Sequence, residues 1–297
     1  MSPADVEEPT VLGVIGGSGV YDLPGLEIGA DVTPETPFGQ PSGPIRLGRL
    51  GASQLAFVAR HGPGHRWSPT DVPYRANIYA LKQLGVTHLL SVSAVGSLRE
   101  ELPPRSLVLP DQIIDRTVSR PRTFFDQGVV AHVGLADPYC PLLRLAVGTA
   151  GAATGASLGQ AGTYLCIEGP QFSTRAESNQ YRAWGASIIG MTAMPEARLA
   201  REAELCYATL ALVTDYDVWH EAEADVSVEL VIGHLRANSA AAAAIIARLA
   251  EQGLPPRACR CGDALKDAVM TAPSAAAAAD WDRLGAIGER YRPAGEG

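Results

Sequence analysis

Apolar residues come in short runs along this chain, each bounded by glycine, proline or polar positions. The runs predict strands over Val11–Ile15, Ile45–Leu50, Leu55–Ala59, His88–Ser93, Ser106–Leu109, Thr163–Ile167, Ile188–Met191 and Tyr207–Val213. Between several of them the spacing changes to three and four, predicting helices over Asn77–Leu84, Leu142–Ala152, Arg175–Trp184 and Glu196–Glu204. The longest predicted helix is Val228–Gln252, where Val228, Val231, Ile232, Leu235, Ile246 and Leu249 keep that spacing and Ser227 stands as N-cap. Near-continuous apolar strands alternating with helices imply an α/β fold, with one domain built on a central mixed, largely parallel sheet flanked by helices. In such sheets, ligands sit at strand ends and in the loops after them. Residues 1–270 are expected to form that domain, and the Ala-rich tail, 271–297, to add a helix and a frayed end with little core-forming content.

Composition narrows the function. A chain of 297 residues that is 46% hydrophobic can bury one large core or two modest ones. The net charge of −8, with no Lys/Arg block, offers no footprint for nucleic acid or an anionic membrane. The first residues, MSPADVEEPT, are acidic and lack the apolar stretch of a signal peptide, and no apolar run approaches the roughly 18–20 residues of a membrane span. Five cysteines, an odd number, suit a reducing cytoplasm better than a disulfide scaffold. Cys259 and Cys261, in "ACRCG", read either as inert thiols or as a strained redox pair or disulfide.

The first strand runs into Gly16-Gly17-Ser18-Gly19. Glycines there permit a tight exit with positive φ. A dinucleotide site would need a helix directly after the loop, and Pro24, Pro34, Pro37 and Pro41 leave no room for a long one. A nest of backbone N–H groups with the Ser18 hydroxyl suits a small oxyanion such as phosphate. Further oxyanion ligands follow other strands. Arg60 offers a planar fork, His61 a ring donor, and Ser93 and Thr192 hydroxyls. Each alone also reads as a surface arginine, a core histidine, a strand end or a cap.

"LALVTDYDVWHE" ends an apolar strand with Asp215 and Asp217, whose spacing of two places both on one side if the strand continues. Neighbouring carboxylates repel, so one can hold a proton near neutral pH and serve as a general acid. A D-x-D cation site and a solvated turn are the other readings of this spacing.

Together the stretches "IGGSGVYD", "TPFGQPS", "ARHGPGHRWSP", "YRANIYALKQLGV", "SAVGSLREEL", "QIIDRT", "IEGPQFSTRAES", "GMTAMPEARLAREAELCYATLALVTDYDVW" and "VSVELVI" resemble the trimeric purine nucleoside phosphorylases, in particular 5′-methylthioadenosine phosphorylases. The resemblance implies that inorganic phosphate, a co-substrate, attacks C1′ of a nucleoside and releases the base, with no cofactor and no metal. It implies a phosphate site at Ser18, Arg60, His61, Ser93 and Thr192, with nucleoside contacts at Ala94, Phe172, Ser173 and Met191 and catalytic base contacts at Asp215 and Asp217. His132, Val228, Val231 and Ile232 would line the 5′ pocket, His132 from a neighbouring subunit of a homotrimer. A 6-oxopurine phosphorylase on the same scaffold is the alternative. Ser18 stands where many relatives have Thr, and Gly190 where some have Asn.

Overall fold

The computed structural model describes residues 10–16, 25–51, 53–159, 162–220 and 228–293. The chain opens with β1 (Val11–Gly16), β2 (Glu27–Val32), β3 (Ile45–Leu50), β4 (Ser53–Ala59), α1 (Tyr74–Gln83) and β5 (Val86–Ser97). It continues through β6 (Leu107–Val108), β7 (Gln112–Arg116), α2 (Pro141–Ala153), β8 (Leu158–Gly159), β9 (Thr163–Ile167), α3 (Arg175–Ala183) and β10 (Ile188–Gly190). It closes with α4 (Ala193–Glu202), β11 (Cys206–Asp215), α5 (Val228–Gln252) and α6 (Ala278–Leu284).

One mixed sheet runs β2-β3-β4-β1-β5-β10-β9-β7, and β11 joins β5 on one side and β6 on the other. β1 pairs in parallel with β4 and β5, and β5 in parallel with β11, so these four strands point their carboxyl ends the same way. β1 and β11 are buried throughout, as strands covered on both faces must be. Along β1, Leu12 and Val14 pack with α2 and α5 (Leu143, Val147, Ile245, Ile246, Leu249), whereas Val11 and Ile15 pack with α1, α4 and α6. The period of two thus sorts one strand's side chains into two cores, giving helix, sheet and helix layers.

Several boundaries and elements differ from the sequence reading. The strands it missed, β2 and β7, lie at the two ends of the sheet path; β2 is mostly exposed, so it carries no apolar run to notice. The two-residue β8 was also missed. Helix α1 begins at Tyr74 rather than Asn77, behind Pro73, without the side-chain cap that marks a helix start. The tail is not poor in core residues, because Trp281, Leu284 and Ile287 are buried in the α1–α4 layer. The next described element after β1 is the strand β2.

Candidate active site

The parallel carboxyl ends converge on one cavity of about 470 Å³, within the usual size of a small-molecule site. Arg60 and His61 enter it directly after β4, Ser93 and Ala94 from the long strand β5, and Met191 and Thr192 just beyond β10. Phe172 and Ser173 border it from the segment before α3, and Asp215 and Asp217 from the end of β11. These ten residues were named from sequence, and they line a single cavity.

One end of the cavity gathers hydroxyls. Ser93 Oγ lies 3.1 Å from Thr192 Oγ1 and 3.2 Å from Tyr164 OH. Thr192 holds the N-cap position of α4 without spending its hydroxyl on the helix, which leaves that group to the cavity. Burial pushes the Tyr164 phenol up to about 12, so it stays a donor.

Arg60 behaves differently from its sequence expectation. Its fork closes on Glu196, with Nε donating to Oε1 at 2.5 Å and Nη2 to Oε2 at 3.3 Å, and each side chain is 1% exposed. Nη2 also donates to Ser91 Oγ at 2.7 Å and to the Ile15 carbonyl at 3.3 Å, and Nη1 to the Val92 carbonyl at 3.0 Å. Burial works against the charge, but Glu196 overrides it and raises the guanidinium above its ordinary value. Of five N–H donors, at most one on Nη1 is left for a ligand. His61 also departs from the expected donor role. Burial first, and the Arg60 charge second, lower it to about 4, so the ring is neutral at pH 7. Its Nδ1–H donates to the Trp67 carbonyl at 2.9 Å, so Nε2 presents a lone pair to the cavity side.

The opposite end holds the aspartates. The strand does not continue as the spacing argument required: β11 ends at Asp215, and Asp217 sits at φ 54° in the left-handed region. A turn joins the two carboxylates instead, with the Asp217 N–H donating to Asp215 Oδ1 at 2.8 Å. The Thr214 hydroxyl donates to Asp215 Oδ2 at 2.7 Å. A register shift between Val213 and Asp215 aims this carboxylate at Gly96, where a Cβ would come within 2.7 Å of Oδ1. Burial raises both aspartates above the ordinary carboxylate value, and for Asp217 the Asp215 charge adds to it. The Ser178 and Ser173 hydroxyls lie against the Asp217 carboxyl and hold back part of that rise.

Some named residues fall outside this constellation. Ser18 lies outside the described residues. Val228, Val231 and Ile232 are on α5, at helical spacing from Leu235, which lines the cavity; their side chains are not among those described. His132 is exposed, does not line this cavity, and is held by its backbone N–H on the Ala268 carbonyl at 2.8 Å. The "CRC" thiols are not joined to each other; all five cysteines are free.

The sequence reading missed the supporting groups. Ser91 stands two residues before Ser93, on the same face, and that spacing was a usable signal. Glu196 carried none, since its partner lies 136 residues away. Arg120 donates from Nη1 to the carbonyls of Met191 and Met194, each at 2.6 Å, and from Nε to Glu168 at 3.1 Å, fixing the segment that presents Thr192. Gly190 gains a physical account. A side chain there would strike the Tyr164 hydroxyl, 2.0 Å from an ideal Cβ, and so disturb the Ser93 contact.

Comparison with known proteins fits this geometry. The phosphorylase superfamily matches residues 11–251. An S-methyl-5′-thioadenosine phosphorylase of Geobacter sulfurreducens is 51% identical over 93% of this chain and 97% of its own, and one of Cereibacter sphaeroides is 53% identical over 89% and 92%. A crystal structure of methylthioadenosine phosphorylase from an Antarctic soil metagenomic library superposes with a TM-score of 0.86 at 48% identity, covering 94% of this chain and 99% of that one. A mutant adenosine/methylthioadenosine phosphorylase of Schistosoma mansoni, in complex with methylthioadenosine, superposes at 0.79 with 34% identity, covering 82% and 91%. The chain belongs to the phosphorylase superfamily, alongside relatives named S-methyl-5′-thioadenosine phosphorylase.

Proposed function

We propose that this enzyme, a pentosyltransferase, cleaves 5′-methylthioadenosine with inorganic phosphate, giving adenine and 5-methylthioribose 1-phosphate. The observation that carries the reading is one cavity lined by the paired Ser93 and Thr192 hydroxyls and by two buried aspartates whose carboxyls burial raises above their ordinary value. Adenine leaves poorly as an anion; a proton delivered to N7 from the Asp215–Asp217 pair relieves that charge, an effect worth roughly 10²–10⁴-fold. The ribose becomes cationic as its bond breaks, and a phosphate held near Ser93 and Thr192 is both nucleophile and counter-charge. We assign phosphate to these hydroxyls, to the remaining Arg60 N–H and to Ser18, with His61 Nε2 accepting from a protonated phosphate oxygen. Ala94, Met191, Phe172 and Ser173 hold the nucleoside. Asp215 favours adenine over a 6-oxopurine, because its carboxyl can accept from a 6-amino group, whereas a 6-oxo group would set a second acceptor against it.

The chemistry assigned here uses neither metal nor cofactor. A homotrimer would let His132 reach a neighbour's 5′ pocket beside Val228, Val231 and Ile232; the exposure of His132, away from its own cavity, supports this. No described helix is long and apolar enough to cross a membrane, and we place the enzyme in the cytoplasm. Incubation with methylthioadenosine, adenosine or inosine, with and without phosphate, followed by identification of the base, tests the reading. Base release from methylthioadenosine independent of phosphate would overturn it.

A further inference from the structure

Far from the cavity, four of the five cysteines meet. Cys140 sits at the N-cap of α2, Cys206 is the first residue of β11, and Cys259 and Cys261 flank the start of a 3₁₀ turn at Arg260–Asp263. Their sulfurs all lie within 4.8 Å of one another, with Cys206 and Cys259 at 3.4 Å and Cys140 and Cys259 at 3.7 Å. Tetrahedral zinc with Zn–S bonds of about 2.3 Å requires sulfur separations of about 3.8 Å, so the four thiols surround a point of that size. Cys140, Cys206 and Cys261 are buried, and no described carboxylate or imidazole belongs to the group. An all-sulfur donor set with no open position fits a structural zinc rather than a catalytic one.

We propose that Cys140, Cys206, Cys259 and Cys261 bind one zinc ion as a structural tetrathiolate site. Each thiol loses its proton on binding, leaving a complex of net charge −2. Arg201 offsets part of that charge, with Nη1 donating to Cys261 Sγ at 3.5 Å. The ion would pin the irregular segment after α5 to the start of α2 and to the amino end of β11. Asp215 lies at the other end of the same strand, nine residues on, a distance of roughly 30 Å. Zinc would therefore set stability and leave the chemistry alone. A disulfide, whose sulfurs must close to about 2.05 Å, would use only two of the four thiols and would need an oxidant.

The test is metal analysis of untagged full-length protein, purified under reducing conditions and equilibrated with zinc. Close to one zinc per chain is expected in the wild type and in Cys166→Ser, a cysteine outside the cluster, with most of it lost in Cys259→Ser and Cys261→Ser. Arg201→Met should weaken zinc affinity by about tenfold or more. Stripping the wild type with a chelator should lower its melting temperature with little change in kcat. If the serine variants fail to fold, cobalt substitution of the wild type decides the matter, through thiolate charge-transfer bands and the intense d–d bands of a tetrahedral site. Zinc content well below one per chain with five titratable thiols, absent cobalt bands, or a native mass short of a pair of hydrogens would each overturn the proposal.

Discussion

Asp215→Asn separates folding from chemistry at this site. The native carboxylate accepts on both oxygens, from the Asp217 N–H at 2.8 Å and from the Thr214 hydroxyl at 2.7 Å. Asparagine can keep both contacts. Its carbonyl takes the Asp217 N–H, and its NH₂ donates to Thr214 Oγ1, whose hydroxyl turns to the Val95 carbonyl, already 3.2 Å away. The fold should therefore survive while the proton source is lost. Adenine release should fall by about 10²–10⁴-fold in kcat/KM. Inosine loses the same proton source, but the amide donates to O6 where a carboxylate would repel it, so inosine loses less. Correcting one mismatched buried hydrogen bond is worth about 1–3 kcal/mol, so the methylthioadenosine-to-inosine preference should shift by roughly 5- to 150-fold. The pH profile is a second readout. Both aspartates are raised, so wild-type activity, which needs the proton, falls as pH climbs through those raised values. With residue 215 neutral, Asp217 loses its like-charged neighbour and that alkaline limb should move or vanish. Chromatographic quantification of released bases over pH, with both nucleosides, measures all of this. An unchanged base preference would refute the assignment of Asp215 to the purine.

Gly96→Ala should reduce kcat/KM by about 10²-fold without unfolding the protein, because its Cβ would meet Asp215 Oδ1 at 2.7 Å and the Asp217 N at 3.3 Å and misplace the acid; wild-type kinetics would show that the carboxylate yields freely. Glu196→Gln strands a buried arginine and should cost about 3–5 kcal/mol in denaturant unfolding, with orthophosphate raising the melting temperature more than in the wild type as the freed fork takes the anion. The same midpoint with and without phosphate in the variant would show that Arg60 never turns to the ligand. Trp281→Ala should lose about 3–5 kcal/mol, since the ring is only 4% exposed in the main core; a change near zero would make the tail a dispensable appendage.

The central strands were legible because burial on both faces forces an apolar composition, as in β11, and the cavity-lining residues were legible because they follow those strands. What stayed hidden has no local signature. β2 is an edge strand whose residues face solvent, so nothing in EIGADV alternates. Arg60 and His61 were placed at the cavity by their position after β4, yet their hydrogen bonds depend on Glu196 and Trp67, partners that only folding supplies. The aspartates illustrate the same limit in reverse. Their proximity was anticipated from strand geometry, and a left-handed turn achieves it instead.

β11 connects these lines of argument. Its carboxyl end, with the turn after it, must hold two buried carboxyls side by side, each raised above its ordinary value by burial. A strand in that position cannot be allowed to slip, because a shift of one residue would turn Asp215 to the other face of the sheet. Its centre is fixed by parallel pairing with β5 from Cys206↔His88 onward, and by side chains locked into both cores. At the amino end, Cys206 is tied into a cluster with residues from α2 and from the segment after α5. Stabilising groups placed there can hold the register without touching the cavity, which the buried aspartates line from the other end. Substitutions at the two ends should therefore separate cleanly, with the cysteines moving the melting temperature and the aspartates moving kcat/KM.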